Sequence, residues 1–119
     1  HSRIGVNTMR LLIVVLNNVE LLEALLETLT ARGLKGATIL NSTGMVRELT
    51  RSEDYPLFGS LRMLMMPEQD ESRTIFMAIP EEKVELAKQT VRDILGDLSK
   101  PNTGVMFTLP IIDAEGIAF

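Results

Sequence analysis

Apolar and polar positions alternate with two periods along this chain, and the switches between them outline its elements. Arg10 to Leu16 is an unbroken aliphatic run with β-branched Ile13, Val14 and Val15. Such a run suits a strand buried on both faces, or a central strand. Asn17-Asn18-Val19-Glu20 follows, with Glu20 three residues after Asn17, close to a capping box. Val19, Leu22, Leu25, Leu26 and Leu29 then recur at helical spacing, with Glu20, Glu23 and Glu27 on the other side. Gly33 supplies the left-handed stop.

A strand from Gly36 to Gly44 comes next. Ala37 and Ile39 share one face, Thr38 and Leu40 the other. Asn41-Ser42-Thr43-Gly44 reads as turn-forming. Met45 to Pro56 is a polar excursion carrying Arg47, Glu48, Arg51, Glu53 and Asp54. Leu57 to Met66, rich in methionine, reads as the returning strand. A connection of about a dozen residues in a compact domain is usually either functional or disordered. Thr74 to Ile79 is the next strand. Pro80, Glu81 and Glu82 open a second helix with the stripe Val84, Ala87, Val91, Ile94 and Leu95. Gly96 ends it. Asp97 to Thr103 is a loop, Gly104 to Leu109 the last strand, and Pro110 to Phe119 a tail.

The order matches the split βαβ pattern, βαββαβ: an α+β, ferredoxin-like fold with a long hairpin loop between its halves. Both helices lie on one face of the antiparallel sheet in that arrangement. The strand runs are apolar on both sides, so the other face would be a large exposed patch and implies another subunit.

Composition narrows the chemistry. The 119 residues suit one domain, read here as residues 9–119, with His1 to Thr8 an added or disordered extension. Hydrophobic residues make up 45% and aromatics 4%, so the core is aliphatic. A net charge of -4 argues against general nucleic-acid binding. Cysteine is absent and His1 is the sole histidine, which removes thiol, Ser-His-Asp and His- or Cys-ligated metal chemistry. Asp54, Asp70 and Asp97 offer carboxylates that no spacing pairs, so no catalytic residue and no enzyme activity is expected. Leu11 to Leu16 is too short to span a membrane and no signal peptide is visible, so a cytoplasmic protein is expected.

Three stretches resemble the PII signal-transduction proteins, the nitrogen regulatory group. Gly36-Ala-Thr-Ile-Leu-Asn-Ser-Thr-Gly-Met-Val-Arg47 is similar to the strand leading into that family's long T-loop. Met66-Pro67 and Arg73-Thr-Ile-Phe-Met-Ala-Ile-Pro-Glu-Glu82 resemble the T-loop exit, the third strand and the start of the second helix. Thr103-Gly-Val-Met-Phe-Thr-Leu109 resembles the end of the B-loop and the final strand. The resemblance implies a compact homotrimer with inward-facing sheets. It implies small ligands, ATP or ADP and sometimes 2-oxoglutarate, bound in clefts between subunits. Thr38, Gly44, Met45 and Arg47 fall at the T-loop base of that nucleotide site, and Thr103 and Gly104 on the B-loop.

Departures from the pattern are specific. Gly104 is followed by Val105 where the family has a phosphate-meeting lysine, which leaves Lys100 as the nearest cation. The family's basic C-loop is missing, since Asp113-Ala-Glu-Gly116 holds no arginine. Tyr55 lies near the family's nucleotidylated tyrosine. The expectation is a divergent PII-like sensor. A small anion would meet Arg47, Lys100 and the amides around Gly96 and Gly104. It would set the Met45–Pro56 loop for a protein partner such as a transporter or an enzyme. Helix stops at Gly33 and Gly96, solvated charge at Arg47 and packing by Met63, Met65 and Met66 are the plainer uses of the same residues. A CutA-like trimer binding divalent cations through carboxylates is the alternative.

Overall fold

In a computed structural model the described residues are 8–45, 48–49 and 71–117. Strand β1 (Met9–Leu16) leads through a 3-10 turn (Val19–Leu21) into helix α1 (Leu22–Ala31). Strands β2 (Thr38–Ser42) and β3 (Ser72–Pro80) follow. A second 3-10 turn (Glu81–Lys83) opens helix α2 (Val84–Leu95), and β4 (Gly104–Pro110) completes the sheet. The strand order is β2-β3-β1-β4, and every neighbouring pair is antiparallel. This is the α+β, ferredoxin-like arrangement the patterning predicts.

Local chemistry sets the element ends. Asn18, rather than Asn17, caps the first helical turn, its Oδ1 accepting the Glu20 N–H at 3.2 Å. Helix α1 ends at Gly33, whose φ of 82° is open to glycine. The Leu34 N–H bonds back to Leu29 O at 2.8 Å and the Gly33 N–H to Thr30 O at 3.0 Å, a Schellman closure. Leu29 and Leu34, both buried, make the apolar contact that accompanies it.

The core lies between the helices and one sheet face. Leu12, Val14 and Leu16 of β1 and Ile75, Met77 and Ile79 of β3 pack under Leu25, Leu29, Ala87, Val91 and Leu95. The two helices are tied by Arg32, which donates to Thr90 Oγ1 at 2.8 Å and Asp93 Oδ2 at 2.9 Å. Thr90 is fully buried in the helical stripe, and its hydroxyl donates to Leu86 O.

Strand β1 is the central strand that its run suits, between β3 and β4, and the protomer buries only one of its faces. Leu11, Ile13 and Val15 are only half-buried, while Leu12 and Leu16 are fully buried. Two helices on one side leave the opposite face bare. Pairing registers place Val15 between Thr74 and Val105, Ile13 between Phe76 and Phe107, and Leu11 between Ala78 and Leu109 on that bare face. Val105, Phe107 and Leu109 are 47%, 52% and 40% exposed, and Leu40 on β2 is 45% exposed.

The β2 boundaries also shift. The strand starts at Thr38 instead of Gly36 and runs through Asn41 and Ser42, which the sequence assigns to a turn. Ser42 keeps pairing because its Oγ lies 2.7 Å from Ser72 Oγ on the facing strand. Strand β3 accordingly begins at Ser72, ahead of the expected Thr74. The proposed return strand Leu57 to Met66 lies outside the described residues.

Leu12→Ala should destabilise the protein by about 2–5 kcal/mol, because Leu12 is fully buried under the helices. Urea unfolding measures this as a fall in midpoint with an unchanged slope.

Candidate functional site

One end of the sheet gathers most of the residues singled out from the sequence. Leu16, the last residue of β1, pairs with Arg73 on one side and Gly104 on the other. Ser42, the last residue of β2, pairs with Ser72. The chain leaving β2 through Thr43, Gly44 and Met45 and the chain entering β4 through Thr103 and Gly104 therefore lie at the same end.

They lie at opposite edges of it. Strand order puts β3 and β1 between them. Three inter-strand steps separate β2 from β4 by about 14 Å. Thr38 is farther still, at the other end of β2, about 13 Å along the strand from Ser42. A single chain does not bring Thr38, the Gly44–Met45 pair and the Thr103–Gly104 pair to one ligand. Arg47 lies outside the described residues, as do Tyr55 and most of Met45 to Pro56.

At the β2 edge the backbone turns helical at Met45, Glu48 and Leu49. The Glu48 N–H bonds to Gly44 O at 3.1 Å, and Thr43 Oγ1 donates to Glu48 Oε2 at 2.7 Å. Met45 is 77% exposed. Beneath this turn sit three hydroxyls that the sequence reading passed over. Thr74 Oγ1 donates to Ser42 Oγ at 2.9 Å, and Ser42 in turn meets Ser72. On the other side of β3, Arg73 donates to Ser72 O at 3.1 Å and faces Glu71 at 3.7 Å. The signal available in the sequence was Ser-x-Thr at period two opposite another serine.

The β4 edge is built on a loop held by its own polar groups. Asp97 Oδ1 accepts the Ser99 N–H at 2.9 Å and the Ser99 hydroxyl at 2.7 Å. The Lys100 N–H donates to Asp97 O at 3.1 Å. Thr103 Oγ1 donates to Lys100 O at 2.9 Å, and Thr103 O accepts the Asn17 N–H at 3.4 Å. Asn102 takes a left-handed φ of 63°. Lys100 is exposed and forms no ion pair among the described residues.

Gly104 has a steric reason of its own. A Cβ there would lie 2.6 Å from Val15 O and 3.1 Å from Leu95 Cδ2. Glycine lets β4 start against β1 under the end of α2. That role needs no ligand.

A recess of about 380 Å³ lined by Arg92, Gly96, Asp97, Leu98 and Ser99 adjoins this loop. Its chemistry corrects the expectation that amides around Gly96 hold an anion. The Gly96 N–H already bonds to Arg92 O at 2.8 Å. The Arg92 guanidinium meets Glu85 Oε1 at 3.3 Å and Gln89 Oε1 at 3.2 Å. The C-terminal end of α2 carries the negative pole of its dipole. Hydrogen bonds from the Ser99 hydroxyl and backbone hold the Asp97 carboxyl below the usual carboxylate range, so it is charged at neutral pH.

No group of three metal-ligating side chains is placed for an ion among the described residues. No described helix is long and apolar enough to cross a membrane.

No family model and no curated protein matches this sequence. Solved structures do match in shape. A functionally unknown protein from Pediococcus pentosaceus aligns over 93% of this chain and 99% of its own, with a TM-score of 0.62 and 15% identity. Arabidopsis thaliana PII bound to citrate aligns over 87% of this chain and 78% of its own, with a TM-score of 0.60 and 13% identity. The fold is PII-like.

Gly104→Ala should cost roughly 1–3 kcal/mol of stability by overpacking, measured as a lowered Tm in the absence of any ligand. The Asp97–Ser99 link has a pH signature. The folded carboxyl titrates below its unfolded value, so its contribution is full above the unfolded pKa of about 3.9 and disappears as pH falls through the lowered value. Stability of the wild type minus that of Asp97→Asn, followed from pH 6 downward, should therefore shrink below about pH 4. A constant difference across that range would show that the charged form has no special role.

Proposed function

We propose that this protein is a PII-like regulator: a cytoplasmic homotrimer that binds a small anionic metabolite or an adenine nucleotide between its subunits. The Met45–Pro56 segment then carries the signal to a protein partner, such as a transporter or an enzyme. The protein acts by binding and performs no catalysis. The observation that carries this reading is the bare apolar sheet face, whose Phe107 is 52% exposed and whose Val105 is 47% exposed. A patch running across four strands is an interaction surface. Burying it between copies turns a half-covered sheet into a core.

The separation of the candidate residues supports the same reading. Gly44 and Met45 at one edge, and Lys100, Thr103 and Gly104 at the other, need a neighbouring subunit to meet. A structural neighbour of this fold is a PII protein bound to citrate, a multiply charged carboxylate. Lys100 and the backbone around Gly104 suit one or two negative groups. The lysine that meets phosphate in the PII family is replaced by Val105, and Asp113 to Gly116 bring no arginine. Fewer cations favour a carboxylate or a lightly charged nucleotide over a triphosphate.

Sedimentation equilibrium should give a mass near three times 13.2 kDa. Thermal shift against citrate, 2-oxoglutarate, AMP, ADP and ATP should then single out one class. A ligand at a hundred times its Kd adds about 2.7 kcal/mol, which raises Tm by several degrees in a domain of this size. Lys100→Ala should weaken that shift while leaving the unliganded Tm nearly unchanged. A stable monomer, or a trimer whose melting none of these compounds changes, would refute the sensor reading.

A further inference from the structure

We infer that the recess at the C-terminal end of α2 binds a primary alkylammonium group, from a free amine or from a lysine side chain. Arg92, Gly96, Asp97, Leu98 and Ser99 line it, and no second copy is needed to form it. It therefore stands or falls apart from the sensor reading. The first ground is a helix end left open. The last turn of α1 is closed by the N–H groups of Arg32, Gly33 and Leu34, which return to the carbonyls of Thr28, Leu29 and Thr30. At the end of α2 only the Gly96 N–H returns, to Arg92 O. Gly96 takes φ 82° and ψ -149°, outside the left-handed helical conformation that would fold the following amides back onto the last turn. The carbonyls of Asp93, Ile94 and Leu95 receive no hydrogen bond among the described residues. The negative pole of this helix is thus unanswered where the recess adjoins it.

The second ground is the charge balance. The Arg92 guanidinium is engaged by Glu85 and Gln89, and the Asp93 carboxylate by Arg32 and Gln89. Asp97 has no cationic partner among the described residues, Lys100 of its own loop included. Its two donors both come from Ser99 and both fall on Oδ1. The third ground fixes the kind of cation. Asp97 Oδ2, Gly96 O and Ser99 Oγ, whose own proton goes to Asp97, accept nothing among the described residues. Three free acceptors match the three N–H donors of an ammonium. A guanidinium matches less well, because its fork takes both oxygens of a carboxylate and Oδ1 is already doubly used. A divalent metal matches less well too, because no three metal-ligating side chains gather among the described residues. Leu98, half-buried against the core, and the methylene stem of Arg92 give an alkyl chain its apolar wall. The volume of about 380 Å³ suits a small organic group better than a bare ion.

The test follows the backbone amide signals of the isotope-labelled full chain at neutral pH during titration with three probes. n-Butylammonium chloride carries both charge and stem, n-butanol the stem without the charge, and sodium chloride the charge without the stem. Shifts at Gly96 to Ser99 should saturate with n-butylammonium at roughly millimolar concentration and with neither control. Nα-acetyl-lysine amide separates the two sources. Binding tighter than n-butylammonium marks a lysine of a partner chain, and weaker binding a free amine; either supports the site. Asp97→Asn keeps an oxygen for the Ser99 donors and removes the charge, so it should weaken n-butylammonium binding about tenfold or more. Lys100→Ala, which is expected to weaken anion binding, should leave the ammonium affinity no weaker. Shifts of equal size with sodium chloride, no saturation with n-butylammonium, or undiminished binding in a folded Asp97→Asn would each overturn the inference. The comparison of the three probes is made on the unaltered protein, so it decides the matter even where a variant does not fold.

Discussion

Two helices can cover one face of a four-stranded sheet and no more. That limit governs this protein. Leu12, Val14, Leu16, Ile75, Met77 and Ile79 fill the covered face and form the core. The alternate residues of the same strands are nearly as apolar and have no helix above them. The packed core on one side and the bare apolar face on the other come from the same strands read at alternate positions.

This double use explains how far the sequence could be read. Helices α1 and α2 were legible because their stripes at Leu25, Leu29, Ala87, Val91 and Leu95 follow the helical period and end at glycine. Strand β1 was legible as a strand because of its β-branched run. Its depth was not, because an unbroken apolar run looks the same whether the second face is covered by its own helices or by another chain. The turn assigned to Asn41 and Ser42 failed for a related reason. Both are turn residues by local preference, and a cross-strand hydroxyl contact with Ser72, thirty positions away in the chain, overrides that preference.

The candidate site was legible as a set of residues and illegible as a place. Gly44, Met45, Thr103 and Gly104 could be picked out along the chain through the likeness to a family. Their position at one sheet end but opposite edges depends on the strand order β2-β3-β1-β4, which no local pattern encodes. Gly96 shows the opposite limit. A glycine after a helix reads equally well as a stop or as an anion cradle, and only its N–H bond to Arg92 O decides for the stop. Gly104 is fixed by Val15 O before any ligand is considered.

A binding residue in this fold therefore answers first to packing. The loop from Asp97 to Thr103 uses its carboxylate, two hydroxyls and the Ser99 and Lys100 amides internally, which ties it together ahead of β4. A ligand meeting that loop finds a preformed edge and little left to order. At the β2 edge the linkage is tighter. Ser42 closes the last strand pair, and Thr43, the next residue, holds Glu48 in the turn that begins the Met45–Pro56 segment. Strand pairing and the shape of that turn thus share two adjacent residues. Whatever presses on the end of β2 acts on the start of the segment with no intervening linker to absorb the displacement.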